Sequence, residues 1–178
     1  IERKQTDSWL QHIARHDTLT GLPNRELFQD RCHVALAHAR RDQTRLALLY
    51  LDLDMFKQVN DSLGHPVGDL LLQEVAQRLG ASVRDSDTVG RIGGDEFMVL
   101  IHSVHQPEHA LLVAEKIRAA IAEPFALAGQ SLKVAASIGV ALYPEHGEDH
   151  ARLMRHADGA MYEAKKEGGN RFRLADFP

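Results

Sequence analysis

The sequence predicts an α/β fold, a mainly antiparallel or mixed sheet flanked by helices, with a β-hairpin at its most unusual stretch. Three observations predict it. Leu46-Ala47-Leu48-Leu49-Tyr50-Leu51 is a short, unbroken apolar run, the pattern of a strand buried on both faces and central in a sheet. Strand-like runs flank Gly93-Gly94, and adjacent glycines make a tight turn easy because glycine takes positive φ without steric cost. Amphipathic helices alternate with these runs, which builds a helix-covered sheet.

Residues 1 to about 16 are polar and helix-compatible, with Trp9, Leu10 and Ile13 as apolar members, and read as the end of an incoming helix. His16 to Asn24 is dense in turn and cap residues, and Asn24 suits an N-cap. Phe28, Cys32, Ala35, Leu36 and Ala39 then fall at helical spacing, so Arg25 to about Arg41 is an amphipathic helix. The central strand ends in Asp52. A short segment at 55–61 follows, and Gly64-His65-Pro66 reads as a break before a helix from Gly68 to about Val83. The hairpin occupies about 87–102. Pro107 opens a third helix at its favoured first position. Leu132 to Leu142 reads as one strand, 149–166 as a last helix stopped by Gly168-Gly169-Asn170, and Arg171–Leu174 as a short final strand.

The chain of 178 residues is long enough for one domain with a proper core. A formal net charge of −4 offers no basic field to a nucleic-acid polymer, though a mononucleotide carried with metal ions remains compatible. The one cysteine, Cys32, excludes an internal disulfide and reads as a buried thiol, which fits a reducing compartment. No apolar run approaches the ~18 residues of a membrane span and no signal peptide is visible. A cytoplasmic domain is expected. The chain begins at Ile1 without Met, so it reads as a piece of a longer protein, which could itself be membrane-anchored.

The hairpin tip carries Asp95 and Glu96 beside bare backbone. A solvated acidic turn is the plain reading; a cation site open to phosphate is the sharper one. Asp52 sits at the end of the central strand, where rigid structure meets solvent, and Asp54 would share its face if the strand continued. If the hairpin lies beside that strand, Asp52, Asp95 and Glu96 converge. Three carboxylates repel one another unless a cation sits between them, and oxygen-only ligands favour Mg²⁺ or Mn²⁺ over zinc. Lys57 could balance phosphate charge, or be an ordinary solvated lysine. Asn60 and Asp69 could read a base: a carboxylate accepts both adjacent donors of guanine, a pair adenine lacks. Capping or turn chemistry is the alternative for both. There is no Gly-x-x-x-x-Gly-Lys-Ser/Thr loop, no Cys/His zinc spacing and no Gly-x-Ser-x-Gly nucleophile.

The ordered motifs resemble those of GGDEF domains, the diguanylate cyclase family of bacterial signalling proteins. The resemblance runs from about His16 to Arg173. It rests on His16-Asp17-Thr18-Leu19-Thr20-Gly21-Leu22-Pro23-Asn24-Arg25, on Leu51 to Asp61, and on Gly64-His65-Pro66-Val67-Gly68-Asp69. Gly93 to Phe97, Ser137-Ile138-Gly139-Val140 and Ala157-Asp158-Gly159-Ala160-Met161-Tyr162 complete it.

The resemblance implies a palm-like domain similar to adenylyl cyclases, spanning 17–175, and condensation of two GTP into cyclic di-GMP by a facing homodimer. It further implies that Asp52, Asp95 and Glu96, with the Leu53 carbonyl, hold two Mg²⁺ or Mn²⁺, and that Asp95 serves as base for the 3′-hydroxyl. Lys57 and Lys165 would meet phosphates, and Arg91 would stabilise the transition state. Asn60 and Asp69 would bind guanine, with Phe56 and His65 lining the same region, and Gly93 and Gly94 would leave room for the nucleotide. Arg84 and Asp87 fit the family's Arg-x-x-Asp site for inhibition by product. The helix at 1–16 would connect to an upstream sensor.

The wording of 60–72 also resembles tandem proteins in which such a domain precedes an EAL phosphodiesterase, and the ending at Asp176-Phe177-Pro178 suits that arrangement. A regulatory module that only binds GTP or cyclic di-GMP is therefore the alternative. One departure stands out: Gly169 occupies the place where the family often has a phosphate-contacting arginine, with Arg171 as the nearest substitute.

Overall fold

The computed structural model describes residues 2–176; Ile1, Phe177 and Pro178 lie outside the described residues, as do the side chains of residues 2–5 and of Ile13. Helix α1 (Glu2–Arg15) leads into the turn before α2 (Arg25–Asp42). Asn24 caps α2, its Oδ1 accepting from the Leu27 N–H at 3.1 Å. Its Nδ2 donates to the Ala14 carbonyl at 2.7 Å, which ties the end of α1 to the start of α2. There follow β1 (Arg45–Asp54), α3 (Phe56–Leu63), α4 (His65–Ser82), β2 (Thr88–Gly93) and β3 (Glu96–Val104). The chain continues through α5 (Pro107–Ala122), β4 (Phe125–Leu127), β5 (Gln130–Leu132), β6 (Ala135–Tyr143), α6 (His150–Lys166) and β7 (Arg171–Leu174).

Five strands form one sheet in the order β2-β3-β1-β6-β7, and β4 pairs with β5 separately. All pairings in the large sheet are antiparallel except β6 with β7. The predicted mixed sheet is therefore present, with β1 at its centre and the Gly-Gly hairpin at one edge.

Three boundaries differ from the sequence reading. Strand β1 does not stop at Asp52: pairing on both sides carries it on, with Asp52 opposite Glu96 and Ser137, and Asp54 opposite Ala135. Helix α4 begins at His65, not Gly68, because Pro66 sits in the first turn, where its missing N–H costs nothing. The actual break is Gly64 alone, at φ +90°. The stretch from Leu132 to Leu142 is two strands. β5 belongs to a small hairpin turned by Ala128 and Gly129, both at positive φ, and only β6 joins the sheet.

Alternate residues of each strand face opposite layers. Ala47, Leu49, Leu51 and Leu53 of β1 join Phe97, Val99 and Ile101 of β3 in the cluster under α4 and α5. Leu46, Leu48 and Tyr50 join Met98 and Leu100 in the cluster under α2 and α6, which includes the buried Cys32. Continuing that alternation puts Asp52, Asp54 and Glu96 on the α2/α6 side. Helix α6 lies hard against β6 there: a Cβ on Gly139 would stand 1.8 Å from the Ala157 carbonyl oxygen. Glycine at 139 is what lets the helix come that close, with Lys165 in its last turn.

Candidate active site

The register brings the predicted acids together. Asp52 and Glu96 are directly paired across β1 and β3. The Leu53 N–H donates to the Asp95 carbonyl at 3.3 Å, holding the hairpin tip against β1. Burial, then a hydrogen bond that the protonated group would donate to Asp95 and charge repulsion from Asp95, push the Asp52 carboxyl up to about 7, and Lys165 acts in the opposite direction. Asp158 on α6 is also raised, by burial and then by Glu96 and Asp52. The site is thus a crowded patch of negative charge with too few cations of its own.

Two side chains relieve that crowding. Lys165 Nζ lies 3.1 Å from Asp52 Oδ2 and 3.9 Å from Asp54 Oδ1. Its ammonium therefore rests on the carboxylates rather than reaching outward, as the sequence reading expected of a phosphate contact. Tyr50 Oη donates to Glu96 Oε2 at 2.7 Å. Burial, then Glu96, holds the Tyr50 hydroxyl well above its usual range, so it remains a donor. Among the described residues, no group of three or more His, Cys, Asp or Glu side chains stands ready to hold a metal. The donor set nevertheless fits a hard cation. Asp52 Oδ1 is buried with no hydrogen-bond partner, and such an oxygen between other carboxylates calls for a positive charge.

The base-reading candidates gather on the α3–α4 pair. Phe56, Lys57 and Asn60 lie on α3, and His65 and Asp69 on α4. Lys57, His65 and Asp69 are exposed, while Phe56 and Asn60 are half-buried. A Cβ on Gly68 would fall 1.8 Å from Asn60 Oδ1, so bare backbone at 68 makes room for that amide. Asn60 Oδ1 is buried and without a partner, an acceptor waiting for a donor. At the tip, a Cβ on Gly93 or Gly94 would meet nothing within 4 Å. Gly94 is explained by its φ of +49°. Gly93 is not required by backbone conformation or by packing within the chain, which suits close approach by something outside it.

Arg91 is placed differently from expectation. Its Nε and Nη2 donate to the Gly94 carbonyl at 3.0 and 2.8 Å, and its Nη1 to Asp17 Oδ1 at 2.9 Å. The guanidinium braces the tip against the turn before α2. Burial raises the Asp17 carboxyl, but bonds from Thr20 and Arg91 outweigh it and leave the carboxyl below its usual value. Arg84 and Asp87 lie at the far end of the hairpin. Asp87 accepts from the Arg84 N–H at 3.0 Å and the His102 N–H at 3.1 Å, and Arg84 Nη2 donates to the His102 carbonyl at 2.6 Å. A cavity of about 430 Å³ beside that turn is lined by Arg31, Val34, His38, Asp85 and His102 among others.

Gly169 lies at φ +73° beside Asp54. Asp54 Oδ2 accepts from the Asn170 N–H and Oδ1 from Ser137 Oγ, both at 2.8 Å. A Cβ on Gly169 would stand 2.6 Å from Asp54 Oδ2. Arg171, the proposed substitute, is engaged nearby, with Nε on the Gly169 carbonyl at 3.1 Å and Nη1 3.5 Å from Glu167. The sequence reading had no role for Tyr50, although its position two residues before Asp52 puts it on the same face. It likewise missed the Asp17–Arg91 pair, which nothing in the spacing links.

Comparison with known proteins gives this geometry a context. The profile for "Diguanylate cyclase, GGDEF domain" matches residues 14–171. The chain is 49% identical over 158 residues to the bifunctional diguanylate cyclase/cyclic di-GMP phosphodiesterase MucR of Pseudomonas aeruginosa, covering 89% of this chain and 23% of that protein. It is 44% identical over 168 residues to the diguanylate cyclase TpbB of the same species, covering 94% of this chain and 39% of that one. The chain thus spans well under half the length of these relatives. The crystallised GGDEF domain of TpbB superposes with a TM-score of 0.89 at 43% identity, covering 90% of this chain and 94% of that one. The coiled coil and GGDEF domain of DgcB from Caulobacter crescentus, solved in complex with c-di-GMP, superposes with a TM-score of 0.87 at 28% identity, covering 98% and 92%. With its motifs in order along the chain and a match across 14–171, the chain belongs to the diguanylate cyclase GGDEF domain family.

Proposed function

We propose that this domain condenses two GTP into cyclic di-GMP, releasing two pyrophosphates, when two copies face each other. The observation that carries the reading is the pair of orphaned buried oxygens, Asp52 Oδ1 among the acids and Asn60 Oδ1 on the α3–α4 pair. One asks for a cation and the other for a hydrogen-bond donor, which is what a metal-bound guanine nucleotide brings.

Asp52, Asp95 and Glu96, with the Leu53 carbonyl, would hold Mg²⁺ or Mn²⁺, two per domain. Bound there, the cations supply Lewis-acid stabilisation of phosphate charge and ease ionisation of the 3′-hydroxyl. Asn60 and Asp69 bind the guanine edge, with Phe56 and His65 beside it. Gly93 leaves the nucleotide room at the tip. Lys57 offsets phosphate charge, and Lys165 becomes available for the same task once Asp52 has another cation. Asp95 accepts the 3′-hydroxyl proton. The 3′-oxygen then bonds to the partner nucleotide's α-phosphorus as the bond to pyrophosphate breaks. Each domain holds one GTP, so the ring closes only across a two-fold pair. Arg91 contributes by fixing the tip. Product binding at Arg84 and Asp87 would restrain the enzyme, and α1 would couple the pair to an upstream segment.

The test is incubation with GTP and Mg²⁺ or Mn²⁺ at high protein concentration, followed by product analysis. Cyclic di-GMP is expected from the wild type, and none from Asp95→Ala or Glu96→Ala with the fold intact. GTP binding without product would favour the regulatory module. Near wild-type turnover in either variant would remove the metal assignment.

A further inference from the structure

Tyr50 belongs to none of the motifs that carry the resemblance, yet it touches the acid cluster directly. Its ring is only 6% exposed and is fixed in the core under α2 and α6. It sits opposite Met98, which makes Glu96, two residues along β3, its diagonal neighbour on the same face. The hydroxyl reaches across and donates to Glu96 Oε2 at 2.7 Å. An ionised carboxylate only accepts, so the direction of this bond is unambiguous. It is charge-assisted, and its donor is anchored by a ring that cannot swing away.

We propose that Tyr50 is a positioning residue for Glu96: its hydroxyl secures one carboxylate oxygen and so presents the other to the divalent cation. The inference rests on the metal-dependent reading above. A floppy glutamate would have to be ordered each time a cation binds; one held in advance from the core has less entropy to lose. Groups that hydrogen-bond a metal's ligands in this way typically change metal affinity 10- to 100-fold when removed.

Tyr50→Phe keeps the ring and deletes only the donor. Mn²⁺ binding is measured by calorimetry with 3′-deoxy-GTP present, which cannot undergo ring closure. The expected result is a Kd for Mn²⁺ raised about 10-fold, with an unchanged urea midpoint in metal-free buffer. With GTP, the Mn²⁺ dependence of turnover shifts to higher concentration by the same factor while kcat at saturating Mn²⁺ is largely kept. In a Glu96→Gln background the Tyr50→Phe change should have no further effect on Mn²⁺ affinity, because the bond it removes no longer orients an ionised ligand. Wild-type Mn²⁺ affinity in Tyr50→Phe, or additive effects in the double variant, overturns the inference and leaves the parent reading standing. Failure of the wild type itself to bind Mn²⁺ overturns both.

Discussion

The two faces of the central sheet are built from alternate residues of the same strands, and they do different work. The face under α4 and α5 is hydrocarbon along its whole length: Ala47, Leu49, Leu51 and Leu53 on β1, with Phe97, Val99 and Ile101 beside them. The face under α2 and α6 starts the same way, with Leu46, Leu48, Met98 and Leu100, then turns polar at one end. Tyr50, Asp52, Asp54, Glu96 and Ser137 succeed one another there. The dry face sets the strand register. The polar end uses that register to hold carboxylates at fixed positions, where burial and mutual repulsion are unfavourable. Lys165, Ser137, the Asn170 N–H and Tyr50 each offset part of that cost. The lesson is that stability and chemistry are separated by one residue of strand period, about 3.4 Å along the chain.

Substitutions matched across the two faces can break this contrast. Leu49→Ala, on the dry face, should cost about 4 kcal/mol in urea unfolding, from lost burial and the cavity left behind. The folded variant should bind Mn²⁺ as the wild type does; weakened binding would show that the faces are not separable. Gly139→Ala, on the polar side, should cost roughly 3 kcal/mol, because its new Cβ meets backbone of α6 that cannot turn aside. Here Mn²⁺ affinity should change together with stability, rising in the absence of nucleotide as α6 draws Lys165, the ion's competitor for Asp52, away from the carboxylates.

Asp54→Ala should have a smaller effect, about 1–2 kcal/mol by urea unfolding, since it strands the Ser137 hydroxyl and the Asn170 N–H. Asp54→Asn should recover part of the loss, as its carbonyl can still accept one of those bonds. A variant as stable as wild type would mean that water replaces the carboxylate.

The smallest effect sharpens the contrast away from the acids. His150 is buried beside Cys32, Leu36 and Leu153, and its Nδ1 has no partner. Burial, then the facing His33, lowers its pKa from the ordinary 6.5, with Asp149 opposing and Arg25 assisting. The unfolded chain therefore binds this proton more readily than the fold does. The stability His150 contributes is fully present above pH 6.5 and is lost as pH falls through its lowered folded value. Thermal unfolding from pH 7.5 downward should show this loss, and His150→Leu should reduce it. An identical acid limb in the variant would assign the slope to other groups.

Much of this was legible in the sequence. The central strand, the Asn24 cap, the Pro107 helix start and the final strand follow from local periodicity and cap chemistry, which act within a few residues. The small hairpin at 125–132 was missed because its strands are three residues each, too short to show a period. The true end of β1 was missed because pairing partners, not local sequence, decide how far a strand runs. The acids were found as types at suggestive positions. Their partners were not: Lys165 on Asp52, Tyr50 on Glu96 and Arg91 on Asp17 join residues 113, 46 and 74 apart.

Sequence alone thus determined the family motifs, the alternation that makes one face dry, and the residue types proposed to bind a cation and a guanine. Tertiary structure alone decided which oxygens are orphaned, where Lys165 rests, and that Arg91 braces a turn. The physical reason is range. Propensity, capping and periodicity are properties of neighbours along the chain. A carboxylate's charge state and its hydrogen bonds are set by whatever the fold brings within about 4 Å, whatever the separation in sequence.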